Sequence, residues 1–599
     1  MSQINDFIFK NRSKTVFVIF IILFFACVIR LVQIQIIQGS EYAQEAIKSR
    51  TDTYNIQPRR GSILDYNGRI LANSVERYNI GVNQIKIRSY IHKEEIKNSK
   101  TGGKILREVG KGPAEAAKQL SKILNVDPAE LGGKMIGNST FKYLVKNISP
   151  QTWRKIKALE IQGIEPEKIT KRQYPNNNTA GNVIGFVGSD NKGLAGLELT
   201  KNKYLTGKSG KGWVEIGPTG ETIPNGVDKI IKDIPGSDVR TTLRIDLQHE
   251  AEEAINEAVK STNAQWGTAT VMQVGTGAVL ALADSDSVDP QHPDKTPSKD
   301  RGSRTVQDAY EPGSTMKLVT ASGVLSENKA NPLSTVTVPS TITVPNGQKF
   351  QDSFVHPVWQ LTLAGTIAYS SNVGTVQFGD RLSDEYRYKL LRKFGFGSPT
   401  GIELPGETGG ILQPSNQWDG RQRYTTMFGQ GLAVTSLQVA SMVETIANNG
   451  VRSPVHIIDG YKKANGKYEK AKHQAPIKVI SKPVADQMRK ILSTVFYGGT
   501  ERLDKAKMSG YNLGGKTGTA EIFNATGQNV GYITTLVGAV PIENPKVIVC
   551  IVLYKPNSIY MSTTTAKPFI RIVKAAVREM KIPPSIGAPE VYPIMAGMR

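Results

Sequence analysis

The feature that most restricts this chain lies at its start. After Lys10, Arg12 and Lys14 comes an uncharged stretch from Thr15 to Ile29, TVFVIFIILFFACVI. Such a run needs an apolar environment, but it is short beside the roughly 20 residues that a membrane-spanning helix requires. Arg30 can snorkel to the interface while Leu31, Val32 and Ile34 continue the apolar face, so the expected anchor covers residues 15–37. No small-x-small cleavage site follows in LVQIQIIQGSEY, which favours a retained anchor over a cleaved leader. Basic residues ahead of the span put residues 1–14 inside as a cytoplasmic tail. The rest of the chain is then expected outside the cytoplasmic membrane, away from ATP.

At 599 residues the chain exceeds one ordinary core, so at least two folded units are expected behind the anchor. Hydrophobic residues at 39% and charged residues at 21% suffice for proper cores. Only two cysteines occur, and Cys27 lies inside the apolar run while Cys550 is far downstream. A structural disulfide, a zinc ribbon and a cysteine nucleophile are therefore unsupported. The formal charge of +23 raises nucleic acid as a partner, yet the Lys and Arg residues are scattered and no basic-aromatic module or metal-finger spacing accompanies them.

A segment of mixed strand and helix signals runs to residue 238, with a lysine-rich stretch from Lys93 to Lys111 that reads as a solvated loop or helix face. The texture changes at Val239. TTLRID reads as a short strand, and Leu247 to Val259 carries Leu247, Ala251, Ala254, Ile255 and Ala258 on one helical stripe. ATVMQV and AVLALA flank Gly275-Thr276-Gly277, a hairpin signal. Downstream, YITTLVGAV and VIVCIVLY give two more strands and FIRIVKAAVREM a closing helix. Between them, Thr435 and Gln438 form a capping-box pair for a helix that Gly450 ends. Strands at both ends of a domain with helices between them predict an α+β architecture whose middle supplies an active-site wall.

Three short motifs fall in that domain: Ser314-Thr-Met-Lys317, Ser370-Ser-Asn372 and Lys516-Thr-Gly-Thr519. Each has decoys, since Ser326 to Lys329 also spells SxxK, Ser189 to Asn191 spells SDN and Lys100 to Gly102 spells KTG. Context separates them. Ser314 follows Pro312-Gly313 and opens STMKLVTASGVL, which predicts a buried helix starting at the serine, with Ser314 and Lys317 on one face. Ser326 sits in the polar exit SENKANP, and the other two decoys sit in surface loops ahead of Ser314.

The residue types suit acyl transfer. A serine hydroxyl is a weak nucleophile at neutral pH, and a lysine can take its proton only if the ammonium form is destabilised. Burial and a second nearby cation do that, and Lys516 is the candidate cation for Lys317. Ser370 would pass a proton toward the leaving amine, and Asn372 would hold a substrate amide and help orient Lys317. On an edge strand, Thr517, Gly518 and Thr519 would line the substrate, with the two threonine hydroxyls on a carboxylate. The N–H groups of Ser314 and Thr519 would form an oxyanion pocket.

SxxK, SxN and KTG in that order resemble the acyl-transferase family of penicillin-binding proteins and serine β-lactamases. The SSN form, VQDAYEPGSTMK, FGQGLAVTSLQVASMVETIANNG and LGGKTGTAE resemble class B penicillin-binding proteins in particular. So do RRGSILDYNGRILA from Arg59 to Ala72, RQYP, IGFVG and the GLE of Gly196 to Glu198, although Tyr66 and Arg244 depart from the usual pattern. The resemblance implies a transpeptidase domain at 239–585, an antiparallel sheet flanked by helices, on an elongated mixed α/β pedestal at 38–238, with a tail at 586–599. It implies a D,D-transpeptidase that cross-links peptidoglycan stem peptides ending in D-alanyl-D-alanine, is acylated by β-lactams and needs no metal or organic cofactor. It also implies a SEDS-type, FtsW-like glycan polymerase and other divisome membrane proteins as partners. YEPGST leans toward the septal subgroup over the elongation subgroup.

Two other classes compete. Gly510 to Thr517 satisfies GxxxxGK[ST], but a phosphate-binding loop needs an apolar strand before it and a helix after it, and LDKAKMS and TGTAEIF supply neither. A β-lactamase or penicillin sensor of the same fold would need a further deacylating carboxylate. Glu444 with Asn448 mimics an ExxxN pair, yet falls on the capped helix, where packing is expected.

Overall fold

The computed structural model describes residues 2–97, 104–217, 223, 226, 228–500, 503–557 and 564–597. The chain forms two compact units that interleave in sequence. One holds residues 1–59, 76–170 and 207–235, and the other holds 60–75, 171–206 and 236–599. A single linear boundary near residue 238 therefore does not describe the folding units, because two stretches of the expected pedestal fold with the C-terminal residues.

In the first unit, the helix Ser2–Val32 runs into a π-helical turn, Gln33–Ile37, and then into the helix Gly39–Arg50. Its apolar portion, Arg12–Ile37, has 26 residues with none buried in protein. At 1.5 Å per residue that is about 39 Å, enough to cross a hydrocarbon core of about 30 Å. The strands Thr51–Ile56, Gly210–Glu215 and Asp228–Ile231 form a small antiparallel sheet. A separate core gathers Ile80, Val82 and Ile87 with Ala116, Leu120 and Leu131. These last three belong to the helices Gly112–Leu124 and Pro128–Met135. The lysine-rich stretch supplies an exposed hairpin, Ile91–Lys97 with Lys104–Lys111, and the KTG at 100–102 lies outside the described residues.

The second unit is built on a five-stranded antiparallel sheet. Its order is Val279–Asp284, Trp266–Gln273, Val547–Tyr554, Asn529–Val540 and Gly514–Phe523. Val547–Tyr554 is buried along nearly its whole length, as a strand covered on both faces must be. The helices Ile245–Thr262 and Ala566–Glu579 pack together against it, and Ser436–Ala447 also lies on the sheet. That last helix carries the expected capping box, with Thr435 Oγ1 accepting from Gln438 N at 3.2 Å and Gln438 Oε1 accepting from Thr435 N at 2.9 Å. TTLRID is not a strand. The strand is Asp238–Thr241, because the chain bends after it, Thr242 Oγ1 donates to the Val279 carbonyl at 2.5 Å, and the helix begins at Ile245.

The stretches carrying RRGS, RQYP and GLE meet in a buried ion cluster. Glu198 is fully buried between two arginines, with Arg60 Nη2 at 2.7 Å and Arg172 Nε at 2.6 Å. Arg60 also donates to the Glu198 carbonyl at 2.8 Å and to Asn202 Oδ1 at 2.7 Å, while Arg172 donates to the Gly61 carbonyl at 2.7 Å. Removing one partner from such a cluster strands a buried charge, typically at about 3–5 kcal/mol.

A second buried carboxylate has no ion-pair partner among the described residues. Glu252 accepts from Ala180 N at 2.9 Å and Gln248 Nε2 at 2.8 Å, and burial raises its pKa from 4.5 to about 8. A raised carboxylate pKa gives stability that is complete below the unfolded value and lost as pH climbs through the folded one. Between pH 4.5 and about 8, the wild-type unfolding temperature should fall relative to that of Glu252→Gln, which keeps the acceptor oxygen and cannot ionise. Parallel melting curves for the two proteins would contradict this.

Candidate active site

The nucleophile candidate sits on a turn that only glycine permits. Ser314 lies in the 3-10 turn Gly313–Met316, and the α-helix Lys317–Ser326 starts three residues later than the sequence suggested. The reason is Gly313, whose φ of +54° is a left-handed conformation that side chains disfavour. A Cβ there would lie 2.4 Å from the Thr519 carbonyl oxygen, so the turn is pressed against the KTG strand. As the second residue of the turn, Ser314 has an N–H with no acceptor inside the helix.

A second glycine-rich turn braces the first. Gly313 N donates to Gly429 O at 3.0 Å, and Tyr310 exchanges backbone bonds with Val434 at 2.9 and 2.8 Å. Glu311 Oε1 accepts from Gly431 N at 2.9 Å. Gly429, with φ of +92°, cannot be replaced because a Cβ would meet Gly313 O at 2.0 Å. FGQGLAV is thus the seat of the serine turn as well as the entry to the capped helix.

Lys317 and Lys516 have no solvent exposure, and both amines reach the middle motif. Lys516 Nζ donates to Ser370 Oγ at 2.9 Å and to the Thr517 carbonyl at 2.9 Å. Lys317 Nζ donates to the Ser370 carbonyl and lies 3.4 Å from Ser370 Oγ. Both amines therefore converge on one hydroxyl away from solvent. Ser370 itself has φ of +58°, uncommon for a residue with a side chain and a sign of external restraint. Asn372 opens the helix Asn372–Gly379, and its Nδ2 donates to the Gln351 carbonyl at 3.0 Å.

Lys516, Thr517, Gly518 and Thr519 lie on Gly514–Phe523, the edge strand of the sheet, as expected. Lys516, Gly518 and Ala520 are buried while Thr519 and Glu521 are exposed, the alternation of a half-covered strand. Gly518 lies close to the Pro312 carbonyl and the Thr315 methyl. An edge strand leaves backbone groups unpaired, which is what an extended peptide needs for docking. The structure thus brings the segments of Ser314, Lys317, Ser370 and Lys516 to Thr519 together, with Asn372 at the margin.

The alternatives lie elsewhere. Ser326 ends its helix, and Ser189 to Asn191 turn between the bridged residues Val187 and Gly193. Gly510 to Thr517 runs into a strand with no helix following, so no phosphate-binding loop forms. Glu444 is buried and accepts from Gly275 N at 3.0 Å and Ser453 Oγ at 2.8 Å, which accounts for it structurally. Burial pushes its pKa up. Of the departures from the family pattern, Arg244 stacks over the Tyr66 ring at 4.3 Å.

Asp352 escaped sequence reasoning altogether. Its carboxylate, on a side chain 4% exposed, accepts from Ser371 Oγ at 2.7 Å, Asn372 N at 2.5 Å and Val373 N at 3.0 Å. QDSF lies in a polar loop with no period to mark it, and the only available hint was an acidic residue upstream of a helix start.

Comparison with known proteins divides the chain linearly. The family model for the penicillin binding protein transpeptidase domain matches residues 267–575, and that for the penicillin-binding protein dimerisation domain matches 55–241. The chain is 31% identical to penicillin-binding protein PbpB of Mycobacterium tuberculosis, over 92% of this chain and 81% of that protein. It is 29% identical to peptidoglycan D,D-transpeptidase FtsI of Escherichia coli, over 93% and 89%. A crystal structure of a peptidoglycan synthetase from Bifidobacterium adolescentis is 33% identical, with a TM-score of 0.73 over 91% of this chain and all of that one.

The packing of Gly313 on Thr519 yields a direct test. Gly313→Ala should slow covalent labelling of the protein by a fluorescent penicillin by about tenfold or more, since small misplacements of reacting groups cost about that much. Labelling at the wild-type rate would show that the turn tolerates a side chain.

Proposed function

As this chain belongs to the class B penicillin-binding protein family of peptidoglycan D,D-transpeptidases, we propose that Ser314 is its acylated residue, serving a stem peptide that ends in D-alanyl-D-alanine. Ser314 Oγ attacks the penultimate carbonyl carbon as its proton passes to the neutral amine of Lys317. The oxyanion faces the N–H groups of Ser314 and Thr519. The C–N bond then breaks, a proton reaches the departing nitrogen through Ser370 with Lys516 behind it, and D-alanine leaves. An amine of a neighbouring stem attacks the ester, gives its proton back through the same groups and restores the serine. Thr517, Gly518 and Thr519 hold the terminal carboxylate, and Asn372 holds a substrate amide. β-Lactams acylate the same oxygen.

What supports these assignments is the meeting of Lys317 and Lys516, 199 residues apart in sequence (516 − 317), around the hydroxyl of Ser370. Neither a packing role nor a surface role accounts for two fully buried amines at one serine.

The setting is proposed on other grounds. Residues 15–37 anchor the protein in the cytoplasmic membrane, with 1–14 inside, since Lys10, Arg12 and Lys14 precede the span. Residues 38–238 act as the pedestal, 239–585 as the transpeptidase domain and 586–599 as a tail. A septal role with an FtsW-like SEDS polymerase and other divisome proteins is favoured by YEPGST and by the FtsI relatives.

Membranes containing the protein should bind fluorescent penicillin covalently, and Ser314→Ala should abolish the labelled band at unchanged protein level. Undiminished labelling of that variant would reject the assignment.

A further inference from the structure

The SSN segment is held from outside by a pair of residues that the reaction does not consume. Gln351 and Asp352 grip it by four bonds: the Gln351 carbonyl takes Asn372 Nδ2 at 3.0 Å, and the Asp352 carboxylate takes Ser371 Oγ, Asn372 N and Val373 N. The two backbone amides are orphan donors at the start of the helix Asn372–Gly379, so the carboxylate also meets the positive end of that helix. Ser370, the residue just before, holds its left-handed backbone against this fixed point.

His356 completes the arrangement. Its Nε2 lies 3.0 Å from Asp352 Oδ2 and its Nδ1 lies 2.7 Å from the Pro357 carbonyl. An ionised carboxylate can only accept, so the ring presents Nε2–H to Asp352. The ring also stacks on Trp359, centroids 3.7 Å apart and planes at 10°. Phe354 tilts against it at 5.5 Å, and Ser340 bonds its backbone N–H and carbonyl at 2.8 and 2.7 Å. Among these neighbours Asp352 alone carries a formal charge. Trp359 in turn stands 4.7 Å from Tyr369, which precedes Ser370 in the chain.

We infer that Asp352 and His356 form a clamp of positioning residues, in which the His356 ring fixes the Asp352 carboxylate and the carboxylate fixes Ser370-Ser371-Asn372 where Ser370 can relay protons. The clamp touches no reacting atom. It rests on the assignment of Ser370 above and adds to it a support behind the SSN segment, in which the His356 ring stands against the carboxylate that holds Ser371, Asn372 and Val373.

The test uses the full chain in detergent and a penicillin whose reversible binding and acylation steps are resolved kinetically. Asp352→Ala should lower the acylation rate constant about tenfold or more while changing reversible affinity less than about threefold, because the relay is displaced and the KTG strand is not. His356→Ala, which removes the contact to Asp352, should lower the acylation rate constant about threefold or more, and His356→Gln, whose amide can donate to Asp352, should recover most of that loss. If Asp352→Ala gives no cooperative melting transition, the pair of His356 variants decides alone. Equal acylation rates for His356→Ala and His356→Gln, or a folded Asp352→Ala acylating within about twofold of wild type, would overturn the clamp. A wild-type protein that takes no penicillin would overturn the catalytic assignment with it.

Discussion

Two buried lysine amines converge on one serine hydroxyl, and much of the second unit exists to make that tolerable. Ammonium groups are rarely buried without partners, and each here is held by oxygen atoms of the SSN and KTG segments. The surroundings have to be stiff, because either lysine would otherwise swing toward water. Stiffness comes from the central strands, from the Gly313 and Gly429 turns locked backbone to backbone, and from Asp352 behind the SSN segment. The left-handed Ser370 is a local cost that these supports offset.

A different problem is solved by the Arg60, Arg172 and Glu198 cluster. The stretches 60–75 and 171–206 are separated in sequence by residues that fold in the other unit, and no periodic apolar pattern ties them together. One buried glutamate with two arginines, bonded further to Gly61, Asn202 and the Glu198 carbonyl, brings these stretches together. Such clusters give little net stability against an apolar replacement, but a wrong pairing leaves charges stranded. That property suits a place where the chain leaves a unit and returns.

Regular elements were legible wherever local chemistry and burial agreed. Thr435 and Gln438 announced a helix start, and the helix is there with both capping bonds. The apolar runs of Asn529–Val540 and Val547–Tyr554 announced strands. The PGST context favoured the SxxK at Ser314 over that at Ser326, since a helix start offers a free N–H and a helix exit does not, and Lys317 does lie at Ser370 while Ser326 ends its helix. Legibility failed where distant residues decide. TTLRID has strand chemistry, but the Thr242 bond to Val279 bends it. The serine helix starts late because Gly313 must clear Thr519, and the interleaving of units follows from ion pairs more than 100 residues apart in sequence. Asp352 left little trace in the sequence, because the three donors it takes from the SSN segment belong to Ser371, Asn372 and Val373, which share no period with it.

The central claim is geometric, so the most direct measurement is a crystal structure of the protein after reaction with a penicillin. The account predicts continuous density from Ser314 Oγ to the opened lactam carbonyl, with its oxygen toward the Ser314 and Thr519 amides. It also predicts the drug carboxylate against Thr517 and Thr519, with the Lys317 and Lys516 amines still flanking Ser370. An adduct on another residue, or a Ser314 adduct with either lysine turned away from Ser370, would contradict it.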